Sequence, residues 1–136
     1  MKAIIDECGL NNKVYFKKFL GFLYKKYNIS RKKEINLLFC GIDKIKELNK
    51  QYRGKKSPTN VLSFYGYDGS ILGDIAICCE VARMEAKKLN MDEKEYMLFL
   101  IAHGFLHLLG YSHDTMQDYE TMVNLQKQIL QEWSKI

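Results

Sequence analysis

Residues 96–109 read YMLFLIAHGFLHLL, apolar all the way round a helix except at His103, Gly104 and His107. A helix without a polar face cannot lie on a surface, so the rest of the chain must be built around it. Its ends are marked. Asp92 suits an N-cap, with Glu95 three residues on and Met91 and Tyr96 able to form the flanking staple, and Gly110 suits the reversed chain that follows a helix. Two imidazoles on so apolar a helix carry a cost of polar burial that calls for a partner.

All three histidines of the 136-residue chain fall in one run, HGFLHLLGYSH. A single histidine in an apolar helix is usually a satisfied core residue, and two four apart arise by chance. Three in one run, with none elsewhere, make a different pattern. His103 and His107 stand on one helix face with Cβ atoms about 5–6 Å apart, and Gly110 lets the chain fold back so that His113 can bring a third nitrogen to the same ion. The spacing is that of the metzincin zinc signature. Three neutral imidazoles favour Zn²⁺, with Ni²⁺, Cu²⁺ and Fe²⁺ allowed by ligand type. Three protein ligands leave the fourth position open, as in catalytic sites. Metzincins, however, carry their proton-transferring glutamate where this chain has Gly104. Glycine inside a helix costs about 1 kcal/mol against alanine. The expected compensation is room beside the metal for a tetrahedral group such as a phosphodiester.

The other segments read as short strands and amphipathic helices. Residues 2–6 form an apolar strand, and Phe16, Phe19, Leu20, Leu23 and Tyr27 place a helix over 13–27. Residues 34–40 alternate as a strand. Asp43 is the expected cap of a helix running to Tyr52, and 53–60 is loop around Gly54 and Pro58. Residues 61–65 and 71–78 form an antiparallel hairpin with Asp68-Gly69 at its turn. A helix follows over 79–89, and the last, over 115–134, carries Met116, Tyr119, Val123, Ile129, Leu130 and Trp133 on its expected inner side. The order gives an α+β fold in a single domain over 1–136, with a small mixed β-sheet packed against helices and a central metal-binding helix.

Composition adds limits. At 47% hydrophobic and 27% charged, the chain is neither disordered nor a disulfide-dependent miniprotein. The four cysteines include no C-x-x-C pair and are expected to be reduced and packed. The N-terminus meets Asp6 before an apolar signal core forms, and there is no run of about 18 apolar residues for a bilayer, so a cytoplasmic location is expected. A net charge of +5, from 18 lysines and three arginines against 16 acids, is compatible with a phosphate polymer but equally with a lysine-rich codon bias.

Further motifs carry a resemblance. They are Leu48-Asn49 with Tyr52-Arg53, Ser57-Pro58-Thr59-Asn60-Val61-Leu62-Ser63-Phe64, Leu72-Gly73-Asp74-Ile75, and the histidine segment with Gly104, Gly110 and Tyr111. In this order and spacing the chain resembles the YbeY family, metal-dependent single-strand-specific endoribonucleases of ribosomal RNA maturation and ribosome quality control. The resemblance implies a zincin-like fold, zinc on His103, His107 and His113, and Arg53 facing the metal cleft. It also implies single-stranded or ribosomal RNA as substrate, 16S 3′-end maturation as the role, and small-subunit ribosomal proteins or assembly GTPases as partners. Two positions depart from the family's pattern: Asn60 and Ser112 stand where it usually has Asp, and each removes a carboxylate expected near the site.

The expected chemistry follows from these groups. Arg53 is suited to hold phosphate oxygens and to stabilise growing charge, and Lys55 and Lys56 can guide an RNA backbone. The proton for the leaving alkoxide is assigned to Asp74, Asp114 or a water, and Asp74 could equally be a structural carboxylate bonding amides at the hairpin. Two other readings stand beside the nuclease. One is a peptidase with an unconventional base, disfavoured by Gly104. The other is a non-catalytic ribosome-assembly factor in which metal holds the fold.

Overall fold

The computed structural model describes residues 3–55, 57, 59–66 and 70–136. Lys2, Lys56, Pro58 and the Asp68-Gly69 turn lie outside them. Along the chain run β1 (Ala3–Asp6), α1 (Lys13–Lys26), β2 (Glu34–Cys40), α2 (Ile42–Arg53), β3 (Val61–Tyr65), β4 (Ile71–Cys78), α3 (Cys79–Lys88), α4 (Glu93–Leu108) and α5 (Met116–Trp133). The four strands form one mixed sheet in the order β1-β2-β4-β3. β1 is parallel to β2 and β2 to β4, while β3 returns antiparallel beside β4 as the edge strand.

Strand alternation assigns the two faces. Ile35, Leu37 and Phe39 of β2 and Ile75 and Ile77 of β4 point into the larger core, with residues of α1, α3, α4 and α5. Cys40, Ala76, Cys78 and Leu62 point to the other face, where Ile45 of α2 covers them. The central helix is α4: Tyr96, Met97, Leu98, Leu100, Ile101, Ala102, Gly104, Phe105, Leu106 and Leu108 are all buried. Asp92 caps it as expected, its carboxylate accepting from the Glu95 N–H at 3.1 Å. The four cysteines are free, three of them buried, and burial pushes the Cys40 thiol up to about 12.

Three local expectations are corrected. α2 starts one residue before Asp43, after an extended Gly41, so Asp43 sits in the first turn rather than at the cap; its charge there still favours the helix dipole. α2 also takes in Arg53 and stops at Gly54, whose φ of +69° is the left-handed conformation that ends helices. On α5 the buried residues are Met122, Gln126 and Ile129. Met116 and Tyr119, expected inside, are exposed at 74% and 54%. Trp133 does turn inward, edge-on to Phe19 and Tyr15 of α1 with ring centroids 5.3 and 5.9 Å away.

Candidate metal centre

The C-terminal end of α4 is closed by two bonds: Gly110 N–H to the His107 carbonyl at 2.9 Å and Tyr111 N–H to the Leu106 carbonyl at 3.0 Å. This Schellman pattern needs a left-handed residue, and Gly110 supplies it with φ +104°. The reversal carries His113 back over the helix. His103, His107 and His113 consequently meet, each offering a nitrogen within 4.8 Å of the others. His107 Nε2 and His113 Nδ1 are 2.9 Å apart and share a hydrogen bond.

The donor set fits a single ion. Nitrogens around one tetrahedral Zn²⁺, at about 2.0–2.1 Å each, stand roughly 3.3 Å from one another, and the His107–His113 pair at 2.9 Å is close to that while the whole set lies within 4.8 Å. The outward nitrogens are also engaged. His103 Nδ1 lies 3.3 Å from Gln126 Oε1 and donates to it, which leaves Nε2 for a ligand. Gln126 is itself 2% exposed and is held by its Nε2–H bond to the Phe99 carbonyl at 3.0 Å. The His107 imidazole bonds the Tyr111 backbone. Burial lowers the His103 pKa to about 4, aided by repulsion from the other two imidazoles. Burial, then His113, then Arg53 lower that of His107. Both rings are kept in the neutral form that binds metal.

Gln126 was not legible as a site residue. The one signal was its place in the 122, 126, 129 spacing of the buried side of α5, a polar residue where an apolar one was due. Gln126→Leu is expected to weaken metal binding about 10–100-fold while leaving the three ligands intact. Competition with a chromogenic chelator measures this.

The cleft beside the histidines, of about 170 Å³, is lined by Arg53, Val61, Leu62, Ser63, Tyr65, His103, His107 and His113. Arg53 reaches it from the last turn of α2. Buried Asn49 steadies that corner, its Nδ2–H donating to the Ser57 carbonyl at 2.7 Å. Lys55 is exposed just beyond the helix but does not line the cleft, and Lys56 is outside the described residues. Asp114 is exposed next to His113, and its charge acts on His107 in the sense opposite to that of Arg53.

Other expected members are not brought to the cleft. Asp74 lies on the α2 face of the sheet with Ala76, one residue out of phase with Ile75, and accepts from Asn36 Nδ2 at 2.9 Å. Among the described residues it bonds neither a histidine nor a loop amide, and the hairpin turn lies outside them. Asn60 turns to α3, where its Nδ2–H and the Tyr96 hydroxyl both donate to Glu85 Oε1, at 2.9 and 2.7 Å. The Ser112 hydroxyl donates to Asp118 at 3.2 Å in the first turn of α5. Gly104 does not open space at the metal either. A Cβ there would meet Ile75 Cγ2 at 2.9 Å, so the glycine lets α4 approach the sheet.

The model of the family described as Endoribonuclease YbeY matches residues 6–134. The chain belongs to the YbeY endoribonuclease family. YbeY proteins similar to it include one from the Aster yellows witches'-broom phytoplasma, 40% identical over 123 residues, covering 85% of this chain and 84% of that protein. Another, from Bacillus subtilis, is 34% identical over 143 residues and covers 93% and 91%. The solution structure of a Thermotoga maritima protein superposes with a TM-score of 0.67 at 27% identity, covering 98% of this chain and 91% of that one. A YbeY endoribonuclease is a hydrolytic nuclease, and the chain is an enzyme of this class. No helix among the described residues is long and apolar enough to cross a membrane.

Proposed function

We infer that the chain is a zinc-dependent, single-strand-specific endoribonuclease, built as one domain over 1–136, that matures the 3′ end of 16S ribosomal RNA and serves ribosome quality control in the cytoplasm. Small-subunit ribosomal proteins or assembly GTPases are the partners this reading calls for. The observation that carries it is the convergence of three imidazoles and one arginine on a single cleft in a YbeY chain.

His103, His107 and His113 are the residues to hold the ion. When bound, it supplies a Lewis acid beside the scissile phosphate. Arg53 grips phosphoryl oxygens through its planar fork and stabilises the charge that grows on them. Lys55 adds sequence-independent attraction that fades with salt, and Lys56 is assigned the same role. With Asp74 on the far face of the sheet, Asp114 is the remaining carboxylate candidate to protonate the leaving alkoxide. A peptidase reading loses further support from Ile75, which fills the space where a glutamate at 104 would begin.

Cleavage of single-stranded RNA by highly purified protein, stopped by chelation and restored by Zn²⁺, tests the proposal. Arg53→Ala is expected to lower kcat about 10²–10³-fold, with metal content and unfolding midpoint unchanged because the side chain is exposed. A protein that binds the ion, unfolds when stripped of it and cuts no RNA would instead be an assembly factor.

A further inference from the structure

Strand β3 has a second use beyond lining the cleft. Cys78 N–H bonds the Asn60 carbonyl at 2.9 Å and Gly66 N–H bonds the Leu72 carbonyl at 3.2 Å. In an antiparallel pair, residues that exchange such bonds alternate with residues that do not. The register pairs Leu62 with Ala76 and Phe64 with Asp74, so the even-numbered residues of β3 bond β4. Val61, Ser63 and Tyr65 therefore turn their N–H and C=O groups outward, along the edge that pairs with no strand among the described residues. Asn60 Oδ1 takes the Val61 N–H at 2.7 Å, and the outward groups of Ser63 and Tyr65 bond no backbone group among the described residues. The same alternation puts these three side chains on the face of the histidines.

Tyr65 is the unusual member. It is 69% exposed, yet its hydroxyl donates to the His107 carbonyl at 3.0 Å. An aromatic ring so exposed would ordinarily swing freely. This one is tethered to the backbone of a metal-site histidine, at the mouth of the cleft that also holds Arg53. A fixed ring with an open face stacks nucleobases of any kind, and strand-edge amides and carbonyls can bond a base along its pairing edge. A base inside a duplex offers neither its face nor that edge.

We propose that Tyr65, with the free edge of β3 at Ser63 and Tyr65, is a nucleobase subsite that seats one unpaired base next to the phosphate held at the histidines and Arg53. The proposal rests on the RNA reading above and adds a cause for strand selectivity. A free strand edge also suits an extended peptide. The open ring and the neighbouring arginine favour a nucleotide.

The test uses the metal-loaded full chain and fluorescein-labelled 2′-O-methyl RNA hexamers, one intact and six with a single abasic residue at successive positions. Fluorescence anisotropy reads the affinity. Tyr65→Leu is expected to weaken the intact hexamer about tenfold, Tyr65→Trp to restore it, and both to unfold at the wild-type midpoint. One abasic position should cost wild type the same tenfold and cost Tyr65→Leu nothing more, a coupling that a merely structural tyrosine would not show. Equal binding by wild type and Tyr65→Leu, or a loss unaffected by abasic position, overturns the subsite. So does binding of an extended alanine-rich decapeptide that displaces the hexamer equally from wild type and Tyr65→Leu. If wild type cuts RNA but Tyr65 proves indifferent, the subsite alone fails; if wild type neither binds nor cuts RNA, the nuclease reading fails with it.

Discussion

His107→Ala is expected to leave the dialysed protein without its ion and to lower RNA cleavage about a thousandfold or more. The estimate follows from the several kcal/mol a metal contributes to a charged transition state, each 1.4 kcal/mol being a factor of ten. The fold should survive. His107 is half-buried, its pKa is lowered by that burial, and removing it from the metal-free protein relieves polar burial while leaving a small void. The metal-free variant should therefore unfold within about 1 kcal/mol of metal-free wild type. Added Zn²⁺ should raise the wild-type midpoint in proportion to the logarithm of its concentration and leave the variant's unchanged. Metal analysis, a cleavage assay and denaturant titration with and without Zn²⁺ measure the three quantities. Retained stoichiometric metal in His107→Ala would contradict the assignment of the three histidines.

Gly104→Glu, which would give α4 the glutamate of a peptidase helix, is expected to unfold the protein rather than convert it. A Cβ at 104 starts 2.9 Å from Ile75 Cγ2 and within 3.3 Å of two more atoms of that side chain. Ile75 is 1% exposed on β4, which is held between β2 and β3, so it has little room to withdraw. For Gly104→Ala, about 1 kcal/mol of helix propensity is gained and about 1–3 kcal/mol is lost to overpacking, which leaves a modest net destabilisation. Glutamate adds a carboxylate at a buried position of α4, at several kcal/mol more. The expected loss of about 4 kcal/mol or more is a large part of the roughly 5–15 kcal/mol that holds a domain together. Chemical denaturation checks both variants, and Gly104→Ala should cost less in an Ile75→Ala background than in wild type. A Gly104→Glu protein as stable as wild type would show that α4 and β4 do not meet as closely as described.

The elements were legible wherever one physical signal spoke alone. The unbroken apolarity of 96–109 placed α4 in the middle, Asp92 and Gly110 marked its ends, and the HGFLHLLGYSH spacing brought three nitrogens together. Signals that competed were misread. Met116 and Tyr119 looked like the inner side of α5 because they are apolar, but the helix turns Met122 and Ile129 inward and keeps Gln126 with them for its bond to His103. A buried glutamine has no apolar period to announce it. Asp74 stood between a proton-source role and a structural one, and the parity of Ile75 and Ile77, both in the larger core, puts it on the opposite side of the sheet. Gly104 was read for what it removes from the metal, when its neighbour is the sheet. Asn60 and Ser112 show a similar limit. Sequence reports that a carboxylate has gone, but only the fold shows Asn60 holding Glu85 and Ser112 reaching Asp118.

The reversal at Gly110 gives the three nitrogens unequal standing. His103 and His107 ride on one helix embedded in the core, whereas His113 is exposed on the short stretch between that helix and α5. The pair is thus a standing half-socket and His113 its latch. Releasing a bound ion from His113 would disturb only the short exposed stretch around it, whereas releasing it from His103 or His107 would disturb a helix set in the core.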